Sequence, residues 1–255
     1  MNLFWPGGLA GRFRIIQKRF NTMKTSTISI LMLLTCISVH AQLPDKSNYL
    51  ADLRADLRKE WPGNRTINLV FHGHSVPAGY FKTPDVRTLE AYPFLILEQL
   101  KSVYPCAVIN VINTSIGGES SVSGAERFER DVLTHHPDVV CIDYALNDRG
   151  PGLMKAGEAW EKMIRMAGER GIPVILLTPS PDLGVDITEP GNILEQHANQ
   201  IRELAVQYRT GLADSYAVFH ELAVSGVDLS EYMSQSNHPN KKGHLLIAGG
   251  VMGYF

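Results

Sequence analysis

Runs of consecutive apolar residues alternate with longer segments of helical periodicity along most of this chain. Four apolar runs of strand length occupy Ile67–Phe71, Ala107–Ile112, Val139–Tyr144 and Pro173–Thr178, and a weaker fifth occupies Gly211–Asp214. The segments with apolar residues at helical spacing are Thr88–Val103, Gly124–His135, Lys155–Arg170 and Ile193–Tyr208, and Gly243–Met252 follows as a closing helix. Repeated strand–helix–strand units are typical of a parallel sheet covered on both faces. The pattern therefore predicts an α/β fold with a five-stranded parallel sheet and helices on both faces.

A shorter amphipathic segment precedes the first predicted strand. Leu50, Leu53 and Leu57 recur at helical spacing, and a Pro-Gly-Asn stretch ends the segment. We therefore expect residues 42–66 to form an N-terminal helix and lead-in. One domain is expected over residues 67–255, a length sufficient for a single sizeable core.

Residues 1–41 have the features of an export signal. Ile28–Val39 is an apolar run of about a dozen residues, too short to span a bilayer, and the basic Lys24 precedes it. Small residues at the end of the run fit a cleavage site after Ala41. The protein is then expected to be secreted or periplasmic, without stable membrane insertion once residues 1–41 are removed.

Two details of this leader have alternatives. Met23 is the expected start of translation, whereas a start at Met1 would give the signal a long basic first region. Cys36 could carry a lipid, but Thr35 before it is a poor fit to the small residue that such processing prefers. Lipid anchoring is therefore not expected.

Charge and composition exclude several classes of partner. The 24 Lys and Arg residues nearly balance the 26 Asp and Glu residues, and a net charge of -2 gives no basic field for a phosphate backbone. Nucleic acid is therefore not an expected partner. No spacing of His, Cys and carboxylates matches a recognisable metal site, and the Gly-Gly loop at 117–118 lacks the Gly-Lys-Ser/Thr ending of a phosphate loop. We expect neither a metal nor another cofactor.

The two cysteines that follow the leader are Cys106 and Cys141. Both lie in apolar, strand-like runs, and the predicted sheet places a third strand between them. Their separation would exceed the roughly 7 Å limit between the Cα atoms of a disulfide. Two buried thiols are expected.

Polar residues follow the carboxyl ends of the predicted strands, which meet at one edge of a parallel sheet. The first strand is followed by Ser75 within a Gly-His-Ser sequence, and the second by a loop that contains Gly118. The third ends shortly before Asn147, and His238 precedes the closing helix. Four polar clusters from distant parts of the sequence are therefore expected at a common edge.

These residue types match the requirements of a serine hydrolase. A serine becomes a good nucleophile when a histidine takes its proton, so Ser75 and His238 are the candidate nucleophile and base. The reaction also needs N–H donors for the oxyanion that develops in the transition state. The amides of Ser75 and Gly118 and the side chain of Asn147 are the candidate donors.

The order of the clusters resembles the four sequence blocks of the SGNH or GDSL-type hydrolases. The matching stretches are Gly73–Gly79, Asn113–Gly118, Ala145–Asp148 and Gln235–Pro239, and the resemblance covers nearly all of the chain after Arg65. It implies a flavodoxin-like three-layer sandwich and ester hydrolysis through an acyl-enzyme. It also implies that Ser75, Gly118, Asn147 and His238 have the roles given above.

Three positions depart from the family pattern. His74 replaces the aspartate of the signature, and Ala145 replaces the glycine of the third block. Gln235 stands where the family has the aspartate that orients the catalytic histidine. Glutamine cannot supply the negative charge that stabilises an imidazolium, although its amide oxygen could accept the N–H of the ring.

Three outcomes of the glutamine substitution remain open. The site could work as a dyad of Ser75 and His238, with Gln235 or a backbone carbonyl orienting the ring. A carboxylate such as Glu231 or Asp228 could reach the ring instead. Catalysis could also have been lost.

The function expected from these features is hydrolysis of short-chain acyl esters, such as acetyl groups on carbohydrate, outside the cytoplasm. The chain has no long apolar segment of the kind that covers the site of a long-chain lipase, and export places polysaccharides within reach. The alternative is a protein of the same fold that binds a glycan or ester without cleaving it, because Gln235 replaces the aspartate.

Overall fold

The computed structural model describes residues 42–255, and its centre is a parallel five-stranded sheet. The strands are β1 Thr66–Gly73, β2 Val108–Asn113, β3 Val139–Asp143, β4 Val174–Leu177 and β5 Gly211–Ala213. Their order across the sheet is β2-β1-β3-β4-β5, and every neighbouring pair is parallel. The predicted α/β class and strand number are confirmed.

Helices connect the strands. The α-helices are α1 Lys46–Tyr49, α2 Ala51–Leu57, α3 Ser75–Ala78, α4 Tyr92–Val103, α5 Ser121–Asp131, α6 Leu153–Gly168, α7 Ile193–Tyr208, α8 Ser215–Val224 and α9 Lys241–Met252. Short 3₁₀ segments occupy Thr88–Glu90, Leu133–His135, Asn147–Arg149 and Leu229–Tyr232. A small antiparallel pair, β6 Met233–Gln235 and β7 His238–Pro239, precedes α9.

Alternate residues of β1 enter two separate hydrophobic cores. Leu69 and Phe71 pack with α2, α4 and α9 on one face of the sheet, whereas Val70 packs with α5 and α6 on the other. Successive side chains of a strand point to opposite faces, so a strand that is apolar throughout requires helices on both sides. The result is the three-layer arrangement expected from the sequence.

The lead-in segment contributes to the first of these cores. Leu50, Leu53 and Leu57 are buried there, which explains the helical spacing of these leucines. The predicted single helix is divided into α1 and α2, which meet at Leu50. The predicted leader, residues 1–41, lies outside the described residues. Within residues 42–255 no helix has the length and apolar character needed to cross a membrane.

The structure corrects one prediction about the cysteines. Cys141 in β3 is buried, but Cys106 is exposed, and both are free thiols. Cys106 lies in the turn before β2, and β2 is an edge strand whose own residues are only partly covered. An apolar run in the sequence therefore overstates burial at the edge of the sheet.

Candidate active site

Ser75 lies where β1 ends and the one-turn helix α3 begins. His74 caps this helix, because its Nδ1 accepts the amide N–H of Val76 at 3.2 Å. Gly79 ends the helix in the left-handed region at φ 93°, which a residue without a Cβ adopts readily. This sharp turn places the Ser75 hydroxyl at the carboxyl edge of the sheet.

His238 reaches the same point from the other end of the chain. It lies in β7, and Asn240 directly afterwards caps α9 through the amides of Lys242 and Gly243. The Nε2 atom of His238 is 2.9 Å from the Oγ atom of Ser75, and both residues are buried. The structure therefore brings the candidate nucleophile and the candidate base into hydrogen-bonding contact.

The second nitrogen of the His238 ring faces a backbone carbonyl. Its Nδ1 atom lies 3.3 Å from the carbonyl oxygen of Phe81, in the segment that follows α3. A carbonyl oxygen can only accept, so this contact requires the proton on Nδ1. Nε2 then presents a lone pair to the hydroxyl of Ser75, which is the arrangement a general base needs.

Gln235, the possible orienter of the histidine, has other hydrogen-bond partners. Its Oε1 accepts the amide N–H of Thr83 at 3.1 Å, and its Nε2 donates to Oδ1 of Asn237 at 3.2 Å. The neighbouring Ser234 donates its hydroxyl to the Phe81 carbonyl at 2.8 Å. Gln235 and Ser234 thus hold the loop that carries the carbonyl, and Gln235 is not bonded to the imidazole.

The alternative carboxylates also lie elsewhere. Asp228 accepts the amide of Ser230, and Glu231 offers its backbone carbonyl to the side chain of Asn240. Within residues 42–255 no Asp or Glu oxygen lies within 4 Å of a ring nitrogen of His238. The sequence allowed Gln235, a backbone carbonyl or a carboxylate to orient the His238 ring. The group that contacts the ring is the backbone carbonyl of Phe81.

The candidate oxyanion donors lie on loops that are bonded to each other. Gly118 adopts φ 80°, and a Cβ built on it would have no atom within 4 Å, so its backbone is open to an incoming group. Asn147 donates one side-chain N–H to the carbonyl of Glu119 at 3.0 Å and keeps a second N–H. The amide of Ser75 begins α3 and therefore has no acceptor within its helix.

A buried ion pair anchors the Gly118 loop. Glu119, the next residue, accepts from Nε of Arg127 at 2.8 Å and from the hydroxyl of Tyr144 at 2.9 Å. Arg127 is 9% exposed, so its charge is paired where water has little access. The pairing holds the loop against α5 and the end of β3.

Asp148 links the segment of Asn147 to the Gly118 loop. It follows Asn147 and is fully buried, and its carboxylate accepts the amide of Ser121 at 2.8 Å and the indole N–H of Trp160 at 2.7 Å. Burial raises the pKa of Asp148, which these hydrogen bonds oppose. The link fixes the segment of Asn147 to the start of α5, directly after the Gly118 loop.

The environment of His238 favours the neutral ring. Burial lowers its pKa below the ordinary value of 6.5, and the hydrogen bond to the Phe81 carbonyl acts in the opposite direction. A neutral imidazole at neutral pH is able to accept a proton from Ser75.

The site residues fall within one family match. The GDSL-like lipase/acylhydrolase family matches residues 71–246. The chain belongs to this family, whose members are carboxylic ester hydrolases. Ser75, Gly118, Asn147 and His238 all lie inside the matched region.

This GDSL-like chain is also similar to other proteins in sequence and in fold. An acetylxylan esterase of Geobacillus stearothermophilus is 25% identical over 169 residues, which are 62% of this chain and 77% of that protein. A two-domain esterase active on acetylated mannans has the same fold, with a TM-score of 0.67 at 22% identity over 84% of this chain and 53% of that one. This chain thus spans about half the length of the two-domain esterase. Axe2, an acetylxylan esterase from Geobacillus stearothermophilus, gives a TM-score of 0.60 at 22% identity, covering 74% and 94% of the two chains.

Several residues of this GDSL-like site lack a sequence signal. Phe81 contributes only its backbone, and any residue could do so. Ser234, Glu119 and Arg127 are polar residues near predicted blocks, but their partners are distant in the fold. Tertiary contacts, rather than residue type, give these groups their positions.

The two contacts of the His238 ring predict which of its nitrogens carries the proton. At a pH where the ring is neutral, we expect the proton on Nδ1, because the Phe81 carbonyl accepts it, and ¹⁵N NMR of the histidine side chains measures this directly. Gln235→Ala should leave the tautomer unchanged, since Gln235 does not contact the ring. The His238→Gln variant identifies the signal. A proton on Nε2 in the unmodified protein would contradict the assignment.

Proposed function

We propose that the protein is a serine esterase that removes short acyl groups, acetyl above all, from carbohydrate. The observation that carries the proposal is the 2.9 Å contact between Ser75 Oγ and His238 Nε2 in a chain of the GDSL-like family. A serine–histidine pair at the carboxyl edge of a parallel sheet is suited to acyl transfer.

In the proposed reaction, His238 accepts the hydroxyl proton of Ser75 through Nε2 while Oγ attacks the ester carbonyl. The oxyanion receives hydrogen bonds from the amides of Ser75 and Gly118 and from the free side-chain N–H of Asn147. His238 then gives its proton to the alcohol as the C–O bond breaks. A water molecule, deprotonated by the same ring, releases the acyl group and restores Ser75.

The substrate class rests on the relatives and on the predicted leader. One relative is an acetylxylan esterase, and one structural neighbour acts on acetylated mannans. Removal of residues 1–41 would leave a secreted or periplasmic enzyme with access to such polysaccharides. The exposed side chains of Ile116 and Leu183 belong to loops at the same edge of the sheet and offer apolar surface beside the polar site.

One observation favours a second function. Because no carboxylate of residues 42–255 contacts the His238 ring, a protein that binds the ester without cleaving it would contain the same groups. The two functions differ in turnover, which the next experiment measures.

Turnover of p-nitrophenyl acetate tests the proposed function. We expect the protein to release p-nitrophenol catalytically and Ser75→Ala to lose about 10⁶-fold in kcat, because the nucleophile is removed. Release of acetate from acetylated xylan and acetylated mannan would then test the substrate class. Absence of turnover above the level of Ser75→Ala, together with retained binding of acetylated oligosaccharides, would favour the binding protein.

The role of Asn147 has a separate prediction. Asn147→Ala should lower kcat by roughly 100-fold, because loss of one oxyanion donor has a cost of that order, with little change in KM. Asn199→Ala, on the exposed side of α7, is the matched control and should keep full activity. An unchanged kcat in Asn147→Ala, with an unchanged melting temperature, would remove Asn147 from the oxyanion site.

A further inference from the structure

The loops at the carboxyl edge of the sheet, where Ser75 lies, form a closed ring of contacts. In order around the ring, the contacts join Glu119 to Asn147, Arg149 to Asp182, Leu183 to Ser236, His238 to Tyr80, and Tyr80 to Gly117. Short stretches of chain, 147–149, 182–183, 236–238 and 117–119, connect each contact to the next. Gly118, Asn147 and His238 all lie on this ring and divide it into three sectors.

The three sectors match the three groups that surround the reacting carbon. In the proposed reaction this carbon carries, besides the serine oxygen, the oxyanion, the acyl chain and the alcohol oxygen. The sector between Gly118 and Asn147 contains the donors for the oxyanion. The other two sectors both border His238, which must give its proton to the alcohol oxygen. The chemistry of these two sectors therefore decides which of them suits the alcohol and which suits the acyl chain.

The sector between His238 and Gly118 is aromatic and uncharged. Its wall is Tyr80, whose ring centroid lies 5.9 Å from that of the His238 ring. The Tyr80 ring also packs against Gly117, because a Cβ built on that glycine would lie 2.8 Å from ring atoms. An aromatic ring thus stands between the base and the oxyanion loop. A ring in this position suits a short apolar group such as a methyl.

The sector between Asn147 and His238 contains the ion pair of Arg149 and Asp182. Nη2 of Arg149 donates to Oδ2 of Asp182 at 2.9 Å, and the two side chains are 27% and 17% exposed. Nε of Arg149 donates to a backbone carbonyl at 2.8 Å, and within residues 42–255 its Nη1 has no protein partner. Free N–H groups beside a carboxylate can bind neighbouring hydroxyls, which both donate and accept hydrogen bonds. This chemistry suits a sugar rather than an acyl chain.

Two connections hold this ion pair beside the catalytic groups. The amide of Leu183, directly after Asp182, donates to the carbonyl of Ser236 at 2.7 Å, two residues before the base. At the other end, Arg149 lies in the same 3₁₀ segment as Asn147. The pair therefore lies between an oxyanion donor and the turn that carries the base.

We propose that the sugar of the substrate lies against Arg149 and Asp182, which bind its hydroxyls, and that the acyl chain lies against Tyr80, whose ring limits its length. The proposal rests on the proposed esterase function and assigns the two parts of the substrate to different sectors of the ring. The sugar oxygen then receives the proton from Nε2 of His238 as its bond to the acyl carbon breaks.

The acyl assignment is tested by the ratio of kcat/KM for p-nitrophenyl butyrate to kcat/KM for p-nitrophenyl acetate. Tyr80→Ala should raise this ratio at least about tenfold, because loss of the ring opens space for the two added methylenes. A ratio cancels any general loss of activity that follows from the contact of Tyr80 with His238. Tyr80→Phe keeps the ring and should keep the ratio. Tyr80→Leu supplies the same comparison if Tyr80→Ala does not fold.

The sugar assignment is tested by binding, which does not require turnover. In a Ser75→Ala background, calorimetry with acetylated xylooligosaccharides should show about tenfold weaker binding after Asp182→Asn or Arg149→Lys, because a charged or forked partner of the hydroxyls is lost. In the active protein, kcat/KM for these oligosaccharides should fall by the same factor relative to p-nitrophenyl acetate, which has no sugar. Arg65→Gln is the matched control, because Arg65 forms a half-exposed ion pair at the opposite edge of the sheet.

The remaining outcomes also decide. An unchanged acyl ratio in Tyr80→Ala and Tyr80→Leu, or equal losses on both kinds of substrate in Asp182→Asn, would overturn the proposal. The reverse pattern, in which Tyr80 affects oligosaccharide binding and Asp182 affects the acyl ratio, would overturn it as well. If the unmodified protein has no turnover that depends on Ser75, the esterase function fails, and the calorimetric comparison still decides whether the ion pair binds the sugar.

Discussion

The hydrogen bond between Ser75 Oγ and His238 Nε2 is the contact on which the account of this site depends. The two residues are 163 positions apart, and their 2.9 Å contact requires the whole sheet to be in place. The end of β1 presents the serine, and the β6–β7 pair presents the histidine just before α9 packs back on the sheet. The local sequence can determine the turn that carries Ser75 and the turn that carries His238. Only the parallel sheet brings these two turns together.

The main physical problem of the site is charge. A base that becomes an imidazolium needs a compensating negative charge, and the family position for it holds Gln235. The structure supplies the orienting part of that aspartate's role through a backbone group. The Phe81 carbonyl, which accepts from Nδ1, fixes the direction of the ring. Gln235 contributes indirectly, because it anchors the loop of Phe81 through Thr83.

Sequence patterns predicted the parts of this molecule that depend on periodicity and residue type. The five strands and the placement of Ser75, Gly118, Asn147 and His238 after strand ends or before the last helix follow from apolar runs and polar breaks. The contact of His238 with Phe81 could not be predicted, because a backbone carbonyl has no residue signature. The exposure of Cys106 depends on β2 being an edge strand, which apolar content does not reveal.

Activation of Ser75 by His238 is the central claim, and a fluorophosphonate reagent measures it most directly because it modifies activated serine hydroxyls. Mass spectrometry of the treated protein should show a single adduct, located on Ser75, and His238→Gln should slow its formation by several orders of magnitude. Absence of an adduct on Ser75, or equal rates of modification with and without His238, would contradict the account.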